Sequence, residues 1–234
     1  MTEIIIKYDT INLLDKPYIL ETALTLSPVS NQYIHINSEL ELTFNTRLEI
    51  LLRDYKKISL FHQYYNHVFL IGETMNLLLD KKADLLDEIN INKPIQLAII
   101  HNNPAEVISK IIKDIGNNLH IIINKDSINV QINENTRPLQ FIILDKTIYK
   151  NIEYTLDEVK YTHLKAAFNG KYITLSRFAW FAIKTRETNI TGLIKDYSLV
   201  EIYKILLRDY KIIGITENFS TIMRNPHVLD FIHN

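Results

Sequence analysis

The chain has 234 residues and no cysteine, which removes disulfide frameworks, thiolate nucleophiles and Cys-ligated zinc in one step. Glycine is scarce, at five residues, and neither a Gly-rich phosphate loop nor a Gly-x-Ser-x-Gly nucleophile turn is spelled anywhere. Long apolar runs are missing too, so no segment reads as a membrane span, and Met1 to Tyr8 lacks the basic start and apolar core of a signal peptide. Neither sign of charge dominates: 26 Lys and Arg face 27 Asp and Glu, for a formal net charge of −1. The cations are scattered, so a general nucleic-acid or anionic-membrane surface is not implied. No Pro/Ser-rich linker divides the chain. The expectation is one domain over 1–234, with an N-terminal segment at 1–45, a body at 46–214 and a C-terminal cap at 215–234, residing in the cytoplasm or in that of a host cell.

What is present is an ordinary apolar content of 47%, enough for a packed core without covalent staples. Heavy use of Ile and Asn is the bias of an AT-rich genome, as in viruses and intracellular bacteria. A capping-box spelling, Thr46-x-x-Glu49, starts a helix running to about Tyr55. Its heptapeptide Ile50 to Lys56 is repeated without change at Ile205 to Lys211, behind a second capping box, Ser198-x-x-Glu201. Val107, Ile108, Ile111 and Ile112 recur at helical spacing after a break at His101 to Pro104. Glu3 to Tyr8 and Gln32 to Phe44 read as extended, the latter with Ile34, Ile36, Leu40, Leu42 and Phe44 partly alternating with polar residues; Ala23 to Leu26 offers a degraded first repeat instead. Leu119 to Ile123, a turn at Asn124 to Ser127, and Ile128 to Ile132 spell a β-hairpin.

Leu77-Leu78-Leu79-Asp80-Lys81-Lys82-Ala83-Asp84, followed by Lys93-Pro94-Ile95-Gln96-Leu97-Ala98, resembles an ankyrin repeat. In that family a Leu-rich helix end is followed by Gly-Ala-Asp, and the next helix opens with Thr-Pro-Leu-His-x-Ala. Thr136-Arg137-Pro138-Leu139-Gln140-Phe141-Ile142 repeats the opening, while Ser59 to Tyr64 and Ser176 to Ala182 fill the slot without the proline. Leu60 to Pro94 is close to the family period of about 33 residues, and Pro94 to Pro138 is roughly ten too long, which places an insertion between Gly116 and Asn133. The resemblance implies a mostly α-helical solenoid of about four or five irregular repeats, with the 119–132 hairpin as an enlarged finger. A different reading makes that hairpin the core of a mixed α/β fold, with Phe141 to Leu144 as a third strand.

The resemblance further implies a non-catalytic protein-binding module, acting on a host or partner factor through its concave face and turn tips. Recognition is then expected from Asp87, Glu88, Asn90 and Asn92 before Pro94, from Asn133, Asn135 and Arg137 around the second opening, and from Gln63, Gln96 and Gln140 in one line. Tyr64 and Trp180 are candidate aromatic anchors, whereas Phe178 and Phe181 read as core. No nucleic acid, membrane, cofactor or resident metal is expected. The eight histidines are dispersed, and His62 and His67 miss the i, i+4 spacing of a helical ligand pair. The enzymatic alternative is a small Mg²⁺-dependent nuclease, in which Asp145 and Glu158 would hold the ion and Lys160 assist the attacking water. Thr155-Leu156-Asp157-Glu158 in that stretch is equally a helix-start capping box.

Overall fold

A computed structural model describes residues 33–55, 64, 66–86, 93–116, 119–125, 127–149, 151–189, 202, 205–206 and 208–213. The segments Glu3 to Tyr8, Ala23 to Leu26 and Ser59 to Gln63, and the second capping box, lie outside these residues.

The centre of the molecule is an eight-stranded mixed sheet, not a stack of helix pairs. In chain order its elements are β1 (Tyr33–Asn37), α1 (Leu42–Leu51), β2 (Val68–Ile71), α2 (Gly72–Leu79), β3 (Ile95–Ile100), α3 (Pro104–Ile115), β4 (His120–Ile123), β5 (Ser127–Gln131), β6 (Leu139–Leu144), α4 (Ile152–Asp157), β7 (Ala166–Phe168), β8 (Tyr172–Ser176) and α5 (Arg177–Thr185). Across the sheet the strands run β1-β8-β7-β2-β3-β6-β5-β4. Neighbours pair antiparallel except β3 and β6, which run parallel from Ile95 opposite Leu139 to Ile100 opposite Leu144. Two short strands, β9 (Glu187–Asn189) and β10 (Lys211–Ile213), form a separate parallel pair.

Alternation along β3 explains the layering. Ile95, Leu97 and Ile99 point into one apolar cluster with Phe44 and Leu48 of α1, Met75 and Leu78 of α2, Val107, Ile108 and Ile111 of α3, and Trp180 and Ile183 of α5. Ala98 and Ile100 point the other way, with Phe69, toward Ile152 and Leu156 of α4. Helices therefore cover both faces, and a strand buried on both faces becomes a continuous apolar run with no period-two signature.

That is where the ankyrin reading fails. Pro94 precedes a strand: its missing N–H falls at the strand entrance, where the backbone N–H of Ile95 already bonds the Pro138 carbonyl. Thr136 to Ile142, read as a second repeat opening, leads into β6. Leu77 to Leu79 do end a helix, but α2 begins directly from a strand at Gly72. A mostly α solenoid with a concave face is thereby replaced by an α/β sheet, and the partition of the chain into repeats goes with it. The mixed α/β reading of the hairpin matches the sheet, since β4, β5 and β6 are adjacent strands. The helix from Val107 is present as α3, with Pro104 in its first turn and Asn103 accepting the Glu106 N–H at 3.4 Å as N-cap. Among the described residues no helix is long and apolar enough to cross a membrane.

Candidate functional site

Strand β2 passes into α2 with no loop between them, and Gly72 makes the turn. Its φ of +61° lies in the left-handed region, and a Cβ there would stand 2.5 Å from Oε1 of Gln96. Both facts favour glycine, the second because a Cβ would displace the Gln96 amide. The neighbouring side chains explain the close approach. The Glu73 N–H donates to Gln96 Oε1 at 3.2 Å, which satisfies one of the free amides at the start of α2. The Gln96 backbone N–H donates to Thr74 Oγ1 at 2.9 Å, and Gln96 Nε2 donates to Gln140 Oε1 at 3.2 Å. Gln96 and Gln140 are register partners on the parallel strands β3 and β6, so two amides lie side by side beneath the turn.

Three charged groups meet above it. The Glu73 carboxylate takes a direct bond from the Arg208 guanidinium and has Lys93 Nζ at 3.5 Å. The Arg208 side chain is 10% exposed, and its Nε is buried with no hydrogen-bond partner among the described residues. A cationic group is thus held at the turn by the Glu73 carboxylate.

The far end of α2 is tied to the same C-terminal segment. Asp80, 4% exposed, pairs with Arg186 Nη2 at 2.7 Å and accepts the Lys82 N–H at 3.0 Å. Arg186 has a φ of 60°, donates to the Arg208 carbonyl at 2.9 Å and lies over the Tyr210 ring. Tyr210 donates its hydroxyl to Asn76 Oδ1 at 2.9 Å and stacks on His163, whose Nδ1 is 2.8 Å from Thr188 Oγ1. Glu73, Asn76 and Asp80 fall on one stripe of the helix, and each is held from the C-terminal side. Burial pushes the His163 imidazole down to about 4, and burial likewise raises the Tyr210 phenol well above its usual range.

The residues singled out in the sequence are dispersed. Gln96 and Gln140 come together, as an amide pair on a sheet. Arg137 donates to the Leu85 carbonyl at 2.9 Å and its own carbonyl accepts the Tyr55 hydroxyl, which ties it into a loop junction. Asn133 and Asn135 form a local turn, the Asn135 N–H donating to Asn133 Oδ1 at 2.9 Å. Tyr64 packs against the main core and Trp180 is buried in it, while Phe178 and Phe181, read as core, are exposed. Gln63, Asp87, Glu88, Asn90 and Asn92 lie outside the described residues. The nuclease candidates serve local structure. Asp145 accepts from the N–H and hydroxyl of Thr147, which hold its carboxyl below the usual range, and Glu158 is the C-cap of α4. Among the described residues no three His, Cys, Asp or Glu side chains come together as a metal site.

Sequence reasoning passed over Glu73, Lys93, Arg186 and Arg208. One signal was available: an isolated Gly72 between the apolar run Val68 to Ile71 and a helical pattern marks a strand-to-helix turn that requires a positive φ.

No family model and no curated protein matches the sequence. Solved structures do match the fold. A Thermotoga maritima CCA-adding enzyme complexed with tRNA aligns at a TM-score of 0.50 with 13% identity, over 79% of this chain and 44% of that one. A CCA-adding enzyme in complex with ATP aligns at 0.54 with 13% identity, over 85% of this chain and 47% of that one. An apo form of a CCA-adding enzyme aligns at 0.50 with 11% identity, over 86% and 47%. The chain therefore spans less than half the length of these structures. Its fold is theirs, helices packed on a mixed β-sheet, and it is not an ankyrin repeat. With the repeat goes the ground for reading a non-catalytic, host-directed protein-binding solenoid and for setting nucleic acid aside.

Proposed function

We propose that the chain is a nucleotidyltransferase that moves a nucleoside monophosphate from a nucleoside triphosphate onto a hydroxyl of a nucleic acid. The fold supports this, shared as it is with CCA-adding enzymes solved with ATP, with CTP and with tRNA. The observation that carries it to particular residues is the meeting of Lys93 and Arg208 at the Gly72 turn, where helix α2 begins. A strand-to-helix turn that directs backbone amides and two cations to one place suits a polyphosphate. The Gln96 and Gln140 amides beneath the turn supply donors and acceptors to the sugar or base.

In the reaction the nucleic-acid hydroxyl oxygen bonds to the α-phosphorus and the α–β anhydride bond breaks. Pyrophosphate leaves with the bonding pair, and the hydroxyl proton passes to solvent. Lys93 and Arg208 would offset the charge accumulating on the leaving pyrophosphate. Divalent cations held between carboxylates commonly assist such transfers. The described carboxylate at the turn, Glu73, faces two protein cations instead, and this donor set does not fit a divalent ion.

The test supplies ATP or CTP and a short RNA with a free 3′ end, resolves the products on a sequencing gel, and measures nucleotide binding by calorimetry. Extension of the RNA by the wild type and its loss in Arg208→Ala are expected. Neither extension nor nucleotide binding by the folded wild type would overturn the reading.

A further inference from the structure

Strand β4 closes one end of the eight-stranded sheet, with no strand beyond it among the described residues. Its sequence, His-Ile-Ile-Ile, and its unbroken register with β5 hold none of the charges, prolines or bulges by which edge strands discourage pairing. All four residues are exposed, and Ile121, Ile122 and Ile123 leave 42%, 48% and 76% of their surface in water. The opposite edge differs. On β1, Ile34 and Ile36 are buried, and Tyr33 and His35 are held by Asp157 and Glu153 of α4. The hairpin also fixes which way the backbone of β4 faces. The Asn124 N–H donates to the Ser127 carbonyl at 2.8 Å, so bonded pairs alternate back along the register through Ile122 opposite Asn129 and His120 opposite Gln131. The N–H and C=O groups of Ile121 and Ile123 therefore point away from β5, into solvent.

Outward amides and carbonyls flanked by branched apolar side chains match one kind of occupant, another extended strand. A helix, a lipid or a nucleic acid would strip water from the backbone row and leave it unbonded. We propose that this occupant is a second copy of the chain, the two β4 strands pairing antiparallel about a twofold axis at Ile122. Ile121-Ile122-Ile123 reads the same in both directions, so the axis sets isoleucine against isoleucine at every central position. Ile121 exchanges both backbone hydrogen bonds with Ile123 of the second copy, and the reverse, while Ile122 faces its own counterpart. Further out, His120 meets Asn124, and Lys125 meets Leu119 rather than another cation. The contact joins the two sheets edge to edge and uses β4 once in each copy, so assembly stops at the dimer. One short strand from each side buries less than the roughly 1,200 Å² at which standard interfaces begin, which puts this dimer in the weak, concentration-dependent class. It is independent of the nucleotidyltransferase reading.

Sedimentation velocity of the full chain, run across about two decades of micromolar concentration, should show a monomer converting to a dimer. Ile122→Lys sets two cations against each other on the axis and should weaken association at least about tenfold. Ile123→Pro removes an N–H that faces solvent in the monomer, so the hairpin keeps its ladder while each copy loses a pairing donor. Association should again fall about tenfold. Both positions are exposed, and circular dichroism checks the fold of each variant. Ile122→Cys places two thiols opposite each other with Cα atoms about 4.5 Å apart, within disulfide reach. In a chain without cysteine, oxidation with diamide should then give a covalent dimer. Ile121→Cys should not cross-link, because its counterpart lies diagonally at about 7–8 Å. Should Ile123→Pro disturb the hairpin, the two cysteine variants decide. A chain that stays monomeric at every concentration and gives no cross-link overturns the proposal. A dimer that Ile122→Lys and Ile123→Pro leave intact lies on another surface and overturns it too. So does a dimer that Ile122→Lys dissolves and Ile123→Pro does not, since it would rest on side chains alone. Cross-linking of Ile121→Cys as fast as Ile122→Cys overturns the register.

Discussion

Gln96 and Gln140 stand opposite each other on parallel strands, the Nε2 of one 3.2 Å from the Oε1 of the other. The same Gln96 accepts the Glu73 N–H, so one amide joins the start of α2 to β6 across the centre of the sheet. Gly72 leaves room for it. The local design is an exchange: a residue without a side chain in the turn lets a neighbouring amide reach the helix terminus.

Replacing Gly72 by Ala tests that exchange. The new Cβ would meet the far end of the Gln96 side chain, which must swing away and give up its bonds to Glu73 and Gln140. The left-handed backbone adds about 1–2 kcal/mol, and the two lost hydrogen bonds about 1 kcal/mol each. Gly72→Ala should therefore cost roughly 3 kcal/mol in urea denaturation. Gln96→Ala should cost about 2 kcal/mol. The double variant should be less destabilised than the sum, because the clash and the hydrogen bonds belong to the same amide. Additive costs would show that Gly72 and Gln96 do not constrain each other.

Glu73 and Arg208 should show coupling of another kind. Arg208→Ala leaves a carboxylate beside Lys93 alone and should lower stability by about 1–3 kcal/mol. Glu73→Gln removes the counter-charge of the Arg208 guanidinium. A double-mutant cycle in low and high salt should give a coupling of about 1 kcal/mol that salt barely screens, since Arg208 is nearly buried. Strong screening would place the pair in solvent.

Several elements were legible from the chain because their signals were local. The hairpin of β4 and β5 and the helix α3 needed only turn chemistry, alternation and a capped periodic run. The central strands were not legible, because β3 reads Ile-Gln-Leu-Ala-Ile-Ile, and burial on both faces erases its period. A proline and a glutamine at matching places in two strand entrances then imitated a helical repeat. The duplicated heptapeptide shows how far tertiary context decides. In the first copy Tyr55 ends a 3₁₀ turn and bonds the Arg137 carbonyl. In the second, Asp209 turns left-handed at φ 59° and Tyr210 reaches Asn76. Both copies bury their tyrosine, by different backbones. The candidate site was less legible still, since its charged members come from Glu73, Lys93 and Arg208, brought together only by the fold.

Asp80 and Arg186 fasten the end of α2 to the β9 entrance. Both partners are largely removed from water, so Asp80→Asn should cost about 3 kcal/mol by leaving a buried guanidinium without its counter-ion. Arg186→Gly separates two contributions, because glycine accepts the φ of 60° while losing the ion pair. Its cost should fall below that of Arg186→Ala by about 1 kcal/mol. Equal costs in thermal melts would show that the left-handed backbone at Arg186 carries no penalty.

His163 makes stability depend on pH in a defined window. It is fully buried, and burial lowers its folded-state value to about 4, outweighing the nearby Glu73 carboxylate, which acts the other way. The unfolded chain titrates this imidazole near 6.5. Above that value neither state carries the proton, and His163 imposes no penalty. Between about 6.5 and 4 the unfolded state binds a proton that the folded state refuses, so stability falls with pH by up to about 1.4 kcal/mol per unit. Below about 4 both states are protonated and this loss levels off near 3 kcal/mol. His163→Phe keeps a flat ring against Tyr210 and removes the titration. Urea midpoints measured from pH 7.5 to 4.5 should drop steadily in the wild type and more shallowly in His163→Phe. Parallel curves would mean that the imidazole takes up its proton within the folded protein, and that burial at Tyr210 and Thr188 does not exclude it.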